Sequence, residues 1–321
     1  DPVSSLTGSF WHEELDVFSP GIGVPFAFAR TYNSLDGLPG PFGPGWTHAY
    51  AESLEVEAGG DAVVRAGDGQ QVRFERQADG SFVGGPGARA SLRAVEGGFE
   101  LLTYTQERHR FGAGRLVALL DRNGKGLSFA YDGAGRLTTI TDSASRTATL
   151  AYNPDGTIAA LALADGRRVG YGYEAGRLAS VTDVRGGVTS YRYDAQGLLD
   201  RIVDQSGNAT VTNVYAADGR VTSQTDALGQ TTSFAWDPAT RTATATDARG
   251  NRWQDVYDGV KLVRQLDPFG NATGFEYDAD LNRTRVVDAR GNATVSGLDA
   301  RGNLVSTTNA LGQVSSVAWS E

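Results

Sequence analysis

From Phe111 onward the chain repeats one unit of about 21 residues, and that period limits what it can fold into more than any other feature. Aromatic or apolar residues open successive units at Phe111, Tyr131, Tyr152, Tyr173, Tyr193, Tyr215, Trp236, Tyr257, Tyr277 and Leu298, with Trp319 opening the next, at intervals of 20 to 22 residues. The clearest copies read Tyr131-Asp132-Gly133-Ala134-Gly135-Arg136-Leu137, Tyr193-Asp194-Ala195-Gln196-Gly197-Leu198-Leu199 and Tyr277-Asp278-Ala279-Asp280-Leu281-Asn282-Arg283. Gly176 and Gly219 occupy the turn position in the units opened by Tyr173 and Tyr215. A fixed period of this size means a stacked array, in which each unit buries its apolar face against its neighbours.

Each unit holds two turn signals about ten residues apart. One is Asp-x-x-Gly directly after the aromatic; the other lies in mid-unit, at Asp204–Gly207, Asp226–Gly229, Asp247–Gly250, Asp267–Gly270 and Asp288–Gly291. An Asp at the first turn position bonds the backbone two residues on, and the closing Gly takes the left-handed conformation. That is the chemistry of short hairpin loops with a bulge, so one unit is two strands and two turns. The entering strand alternates cleanly: Leu127, Phe129 and Tyr131 share a face, as do Val169, Tyr171 and Tyr173. The leaving strand places its apolar pair three apart (Leu137 with Ile140, Leu178 with Val181, Leu199 with Ile202), which means opposite faces or a bulge. The expected fold is all-β, a twisted ribbon of antiparallel hairpins with an aromatic ladder along one face. At about 10 Å per unit, ten units run on the order of 100 Å, and a sheet of that length curls, here into about one turn of an open spiral.

Residues 1–110 form a separate β-rich cap domain in this reading, with the repeats spanning 111–321. Up to about residue 56 the chain is rich in Pro, Gly and aromatics, as in Phe18-Ser19-Pro20-Gly21 and Gly40-Pro41-Phe42-Gly43-Pro44-Gly45-Trp46. Such a segment is dominated by specific turns. One strand is expected at Phe26–Tyr32 and another at Tyr50–Val56, the aromatics packing on the first turn of the array as a cover. Residues 57–110 read as short strands, including a hairpin around Ala66-Gly67-Asp68-Gly69.

Composition removes several function classes. A formal net charge of -9 argues against binding a nucleic-acid backbone, which needs a basic stripe. No apolar run is long enough to span a membrane. The chain has no cysteine, so disulfides and thiolate metal sites are excluded. It has no methionine either, and both ends read as cuts inside a longer polypeptide.

The unit Tyr-Asp-x-x-Gly-Arg-Leu-x-x-Ile/Val-x-Asp-x-x-Gly-Asn/Gln-x-Thr resembles the YD repeat of the Rhs family, which includes bacterial polymorphic toxins and animal teneurins. Tyr131–Asp142, Tyr173–Asp183 and Tyr193–Thr210 carry it best. Arg30-Thr31-Tyr32-Asn33-Ser34 and the Gly40–Trp46 stretch look like the domain that precedes the repeats in many bacterial members. The resemblance implies that Arg30, Tyr32, Asn33, Gly43, Gly45 and Trp46 are structural residues of that cap. It also implies a strand-built spiral shell, bacterial and secreted or displayed at the cell surface, that encloses a C-terminal toxin. The implied partners are the rest of its own polypeptide (downstream repeats and toxin cargo) and a secretion apparatus or cell-surface glycan. Asp267-Pro268-Phe269-Gly270 has the letters of the family's self-cleaving element but falls at an ordinary mid-unit turn, and no toxin domain is present.

Three histidines, His12, His48 and His109, are scattered, and a hydrolytic triad or zinc site is not expected from them. Trp11-His12-Glu13-Glu14 is the only acid-rich neighbourhood of the three. The turn aspartates lack the nine-residue spacing of calcium β-rolls. No cofactor is expected. The ladder residues, Tyr152, Tyr215, Trp236 and Tyr257 among them, are expected to pack on their neighbours; the alternative is a surface that binds a carbohydrate or a partner protein. Asn208-Ala209-Thr210 and three similar triplets match glycosylation acceptors but follow the repeat's own Gly-Asn-x-Thr pattern.

Overall fold

The computed structural model describes residues 2–299 and 301–319, and among these every regular element is a strand. The chain divides into two compact units: a larger one of Pro2 with Phe10–Thr212, and a smaller one of Val3–Ser9 with Asn213–Glu321.

In the larger unit, β1 (Trp11–Ser19) pairs with β2 (Phe26–Asn33), while β3 (Pro39–Gly40) pairs with β4 (Gly43–Pro44). β5 (Trp46–His48) adds to the other edge of β2. A meander follows, through β6 (Ser53–Val56), β7 (Ala62–Arg65), β8 (Gln71–Arg76) and β9 (Phe82–Gly84). β6 joins the strand Arg115–Leu120 where Ser53 opposes Arg115, and Leu54 N–H donates to Gly114 O at 2.9 Å. From Ala90–Val95 on, strands pair antiparallel with their sequence neighbours, the hairpin succession expected from the period. The same succession runs through the smaller unit to Val314–Ser316.

β1 has no counterpart among the expected strands, and its burial explains why. His12, Glu14 and Asp16 lie on its covered face while Trp11, Leu15 and Phe18 are exposed, an inverted amphipathic pattern. The expected strand at Tyr50–Val56 begins only at Ser53.

The odd apolar spacing of the leaving strands is resolved by a bulge. Tyr131 opposes Leu137 while Ala130 opposes Thr139, so Thr138 is the extra residue, and Leu137 and Ile140 are both buried. The same shift recurs at Tyr152/Ile158, Tyr173/Leu178, Tyr193/Leu199 and Tyr257/Leu262. One extra residue returns the second apolar side chain to the covered face.

The turns follow the aspartate logic. Asp132 Oδ1 accepts from Ala134 N–H at 3.0 Å and Arg136 N–H at 2.9 Å, and Asp194 does the same for Gln196 and Leu198. Gly135 and Gly197 close these turns at φ +80° and +83°. Leu281 takes that place after Asp278 at φ +62°, a conformation unfavourable for a residue with a Cβ. The Tyr173 unit uses a tighter loop, Ala175-Gly176, between the paired Glu174 and Arg177.

Leu178 is fully buried at the bulge, whereas Val188 on the next strand is exposed. Leu178→Ala is expected to destabilise the larger unit by about 2–5 kcal/mol in denaturant unfolding, against less than about 0.5 kcal/mol for Val188→Ala. Equal effects would contradict the bulge-set core.

Candidate functional site

The face that matters is built by one contact repeated from unit to unit. Pairing between neighbouring hairpins stops early: Arg115–Leu120 meets Gly126–Tyr131 only through Ala118, Leu119 and Leu120. The Leu116 carbonyl, left outside the ladder, accepts the Tyr131 hydroxyl at 2.7 Å. The same bond, always 15 residues back, joins Tyr152 to Leu137, Tyr173 to Ile158 and Tyr193 to Leu178 at 2.7 Å, and Tyr277 to Leu262 at 2.9 Å. Trp319 Nε1–H donates to Leu304 O in the same way, at 2.8 Å. Each hydroxyl satisfies a backbone acceptor that splaying would otherwise strand.

The arginine before that carbonyl covers the next ring. Arg115 lies over Tyr131 at 5.8 Å, Arg136 over Tyr152 at 4.8 Å, Arg177 over Tyr193 at 5.5 Å and Arg220 over Trp236 at 4.9 Å. Contacts of this kind contribute about 0.5–2 kcal/mol each. The Gly-Arg-Leu string is therefore the socket for the next unit's aromatic. The Tyr215 hydroxyl accepts from Asn213 Nδ2 at 3.3 Å, and the Tyr257 hydroxyl pairs with Ser5 Oγ at 2.6 Å. The ladder residues are half-buried against their own neighbours.

In the larger unit the cap closes this face. Phe42 meets Tyr171 at 4.8 Å, Trp46 meets Tyr191 at 5.2 Å and Tyr50 meets Phe129 at 5.1 Å between ring centroids. Trp46 Nε1–H donates to the Tyr193 hydroxyl at 2.9 Å. Orphan N–H groups of the bulged strands find acceptors on the cap: Leu199 N–H on the Tyr32 hydroxyl at 2.9 Å, and Ile158 N–H on Pro41 O at 2.8 Å. In the smaller unit Val221 N–H finds Gly8 O at 2.9 Å. Gly43, at φ +91°, lies so close to the Gly176 carbonyl that a Cβ would come within 2.6 Å of its oxygen. Gly45, at φ +77°, has the Tyr32 ring at the same distance. Asn33 Oδ1 caps the following turn through Leu35 N–H at 3.0 Å.

Arg30 is the buried charge at the centre of the cap. Its Nε and Nη2 each donate to Asp16 at 2.8 Å, and Nη2 also reaches Glu14 at 3.3 Å and the Tyr191 hydroxyl at 3.2 Å. Tyr171 donates to Asp16 at 2.7 Å and Tyr191 to Glu14 at 2.6 Å, so strands of the array complete the cluster. Trp46 packs over the guanidinium at 5.2 Å. Burial pushes the Glu14 carboxyl up, but the His12 hydrogen bond, the Arg30 charge and the Tyr191 hydroxyl outweigh it and hold it at about 2. Burial alone depresses His48 to about 4. Glu14 and Asp16 were missed as cap residues because their strand was missed; the acid-rich Trp11–Glu14 stretch was the available signal. His109 Nδ1 lies 2.7 Å from Glu52, as part of a half-buried pair. Among the described residues no cluster of three or more histidines or carboxylates has the geometry to hold a metal ion.

This architecture is that of a hairpin-repeat β protein whose N-terminal segment covers one sheet face. The RHS repeat family matches residues 112–147, 152–188, 174–209, 215–252 and 277–314, more than half of the chain, and the chain belongs to that family. A domain of unknown function, DUF6531, matches residues 1–74. The tRNA nuclease WapA of Bacillus subtilis (strain 168) is 33% identical over 263 residues, which is 80% of this chain and 11% of that protein. The tRNA(Glu)-specific nuclease WapA of Bacillus subtilis subsp. natto is similar to the same extent, so the chain spans only 11% of the length of these curated relatives. Among solved structures, the crystal structure of TcdB2-TccC3 aligns over 90% of this chain and 19% of that one, with 12% identity and a TM-score of 0.46.

Arg30→Ala strips the partner from Asp16 and Glu14 and is expected to cost about 3–5 kcal/mol in denaturant unfolding, whereas Tyr277→Phe, which frees one carbonyl, should cost about 1 kcal/mol. Acid should loosen the cap in two stages. His48 binds its proton less readily folded than unfolded, so stability is present above its ordinary value of 6.5 and falls toward pH 4. Glu14, also depressed on folding, adds a loss from its ordinary 4.5 down to about 2. His48→Phe should remove the upper stage of a melting-temperature profile against pH; an unchanged profile would refute this assignment.

Proposed function

We propose that this chain is a wall segment of an RHS-type shell that encloses a C-terminal toxin carried on the same polypeptide, and that it contributes no catalysis itself. Residues 1–110 then act as the cap and 111–321 as repeats that curl into the wall of a secreted or cell-surface bacterial protein. The observation that carries this reading is the contrast between the two units. In the larger, the ladder face is buried under cap aromatics; in the smaller, the large apolar side chains of the same face are covered less, with Phe234 and Phe275 half-buried and Trp253 exposed. Within that unit Val3, Val221 and Ala243 are the buried hydrophobics among the described residues. A wall with an apolar face left partly open suits contents supplied by the rest of the polypeptide. The naming of the WapA relatives as tRNA nucleases supports a toxic cargo on a longer chain.

The test is protease protection in the full-length product of the gene. The segment following the repeats should resist trypsin while the wall is folded and become sensitive when Arg30→Ala loosens the cap. Digestion at the rate of the isolated segment in both proteins would overturn encapsulation.

A further inference from the structure

One repeat in the smaller unit breaks the pattern, and the break opens a trough. At other bulged hairpins the unit-opening aromatic opposes a Leu or Ile, as Tyr131 opposes Leu137 and Tyr257 opposes Leu262, or an arginine, as Tyr277 opposes Arg283. Trp236 instead opposes Ala243, in a hairpin with no bulge, so Ala243 and Ala245 both project onto the ladder face by simple alternation. Two rows cross the sheet there: Phe234, Ala245, Trp253, and Trp236, Ala243, Asp255, Gln265. The alanines form a floor between taller neighbours, and the resulting cavity has a volume of about 770 Å³. That lies within the range of ligand sites, roughly 300–1,000 Å³.

Three features indicate what fits. Charge is the first: Asp218, Asp247 and Asp255 line the trough against one guanidinium, Arg220, which is already stacked on Trp236 and donates to Leu6 O at 2.8 Å. Second, Trp253 stands on the floor with 40% of its surface exposed, a free ring for a cation. Third, the face beside the trough already takes backbone of this chain as a partner. The segment Val3–Ser9 borders it, with Gly8 O accepting from Val221 and Ser5 bonded to Tyr257.

We propose that this trough is a binding site for an extended polypeptide segment bearing lysine or arginine, whose aliphatic stem lies over Ala243 and Ala245 and whose cation meets Trp253 and Asp255. The assignment stands independently of the encapsulation reading.

Calorimetric titration of the chain with a Lys-Ala-Lys-Ala-Lys-Ala peptide, beside the Glu-Ala counterpart and a chito-oligosaccharide, tests it. Saturable binding of the lysine peptide alone is expected, weakened at least tenfold by Trp253→Ala, by Asp255→Asn and by Ala245→Leu, which fills the floor without removing a charge. Thermal unfolding of each variant separates lost binding from lost fold. The proposal is overturned by no saturable binding, by equal binding of both peptides, by a response to the sugar in place of the peptide, or by full affinity in folded Trp253→Ala and Ala245→Leu.

Discussion

The structure depends on how a hairpin array accounts for the backbone groups at the point where neighbouring hairpins part. Each bulge lets two apolar residues spaced three apart face the same way, but it also ends the ladder early and strands a carbonyl. The tyrosine hydroxyl 15 residues on supplies the missing donor, and the arginine beside the carbonyl covers the same ring. Three residue types, Tyr, Arg and Leu, are thus tied by one socket, which recurs at Tyr131, Tyr152 and Tyr193.

The cap extends the same accounting to the other class of orphan, the N–H groups at the bulges. Tyr32 and Pro41 supply oxygens to Leu199 and Ile158, and Gly8 does so for Val221. Because these acceptors come from the N-terminal segment, a cap without its fold would leave array donors unpaired, at about 1–3 kcal/mol each. Arg30 fixes the arrangement by demanding two carboxylates and two tyrosines from separate elements at once. Such a buried charge specifies geometry more than it adds stability.

Much of this was legible in the sequence for a physical reason: turn chemistry is local. Asp132, Gly135, Asp194 and Gly197 declare their conformations within four residues, and the regular recurrence of Tyr131, Tyr152 and Tyr173 declares stacking. The resemblance of the Arg30–Ser34 and Gly40–Trp46 stretches pointed to the residues that meet the array. What stayed hidden depends on partners distant in sequence. β1 carries its charges inward toward Arg30, so its alternation misleads. The spacing of Leu137 and Ile140 allowed two geometries until the opposing strand was known. Ala243 and Ala245 look unremarkable in Thr-Ala-Thr-Ala-Thr until their cross-strand neighbours prove to be Trp236, Phe234 and Trp253.

The central functional claim is that these repeats form a curved wall around contents supplied elsewhere on the polypeptide, and small-angle X-ray scattering of the chain in solution tests it most directly. The account predicts a curved particle with a depleted centre. A straight rod would contradict it and leave a linear binding or spacer array in its place.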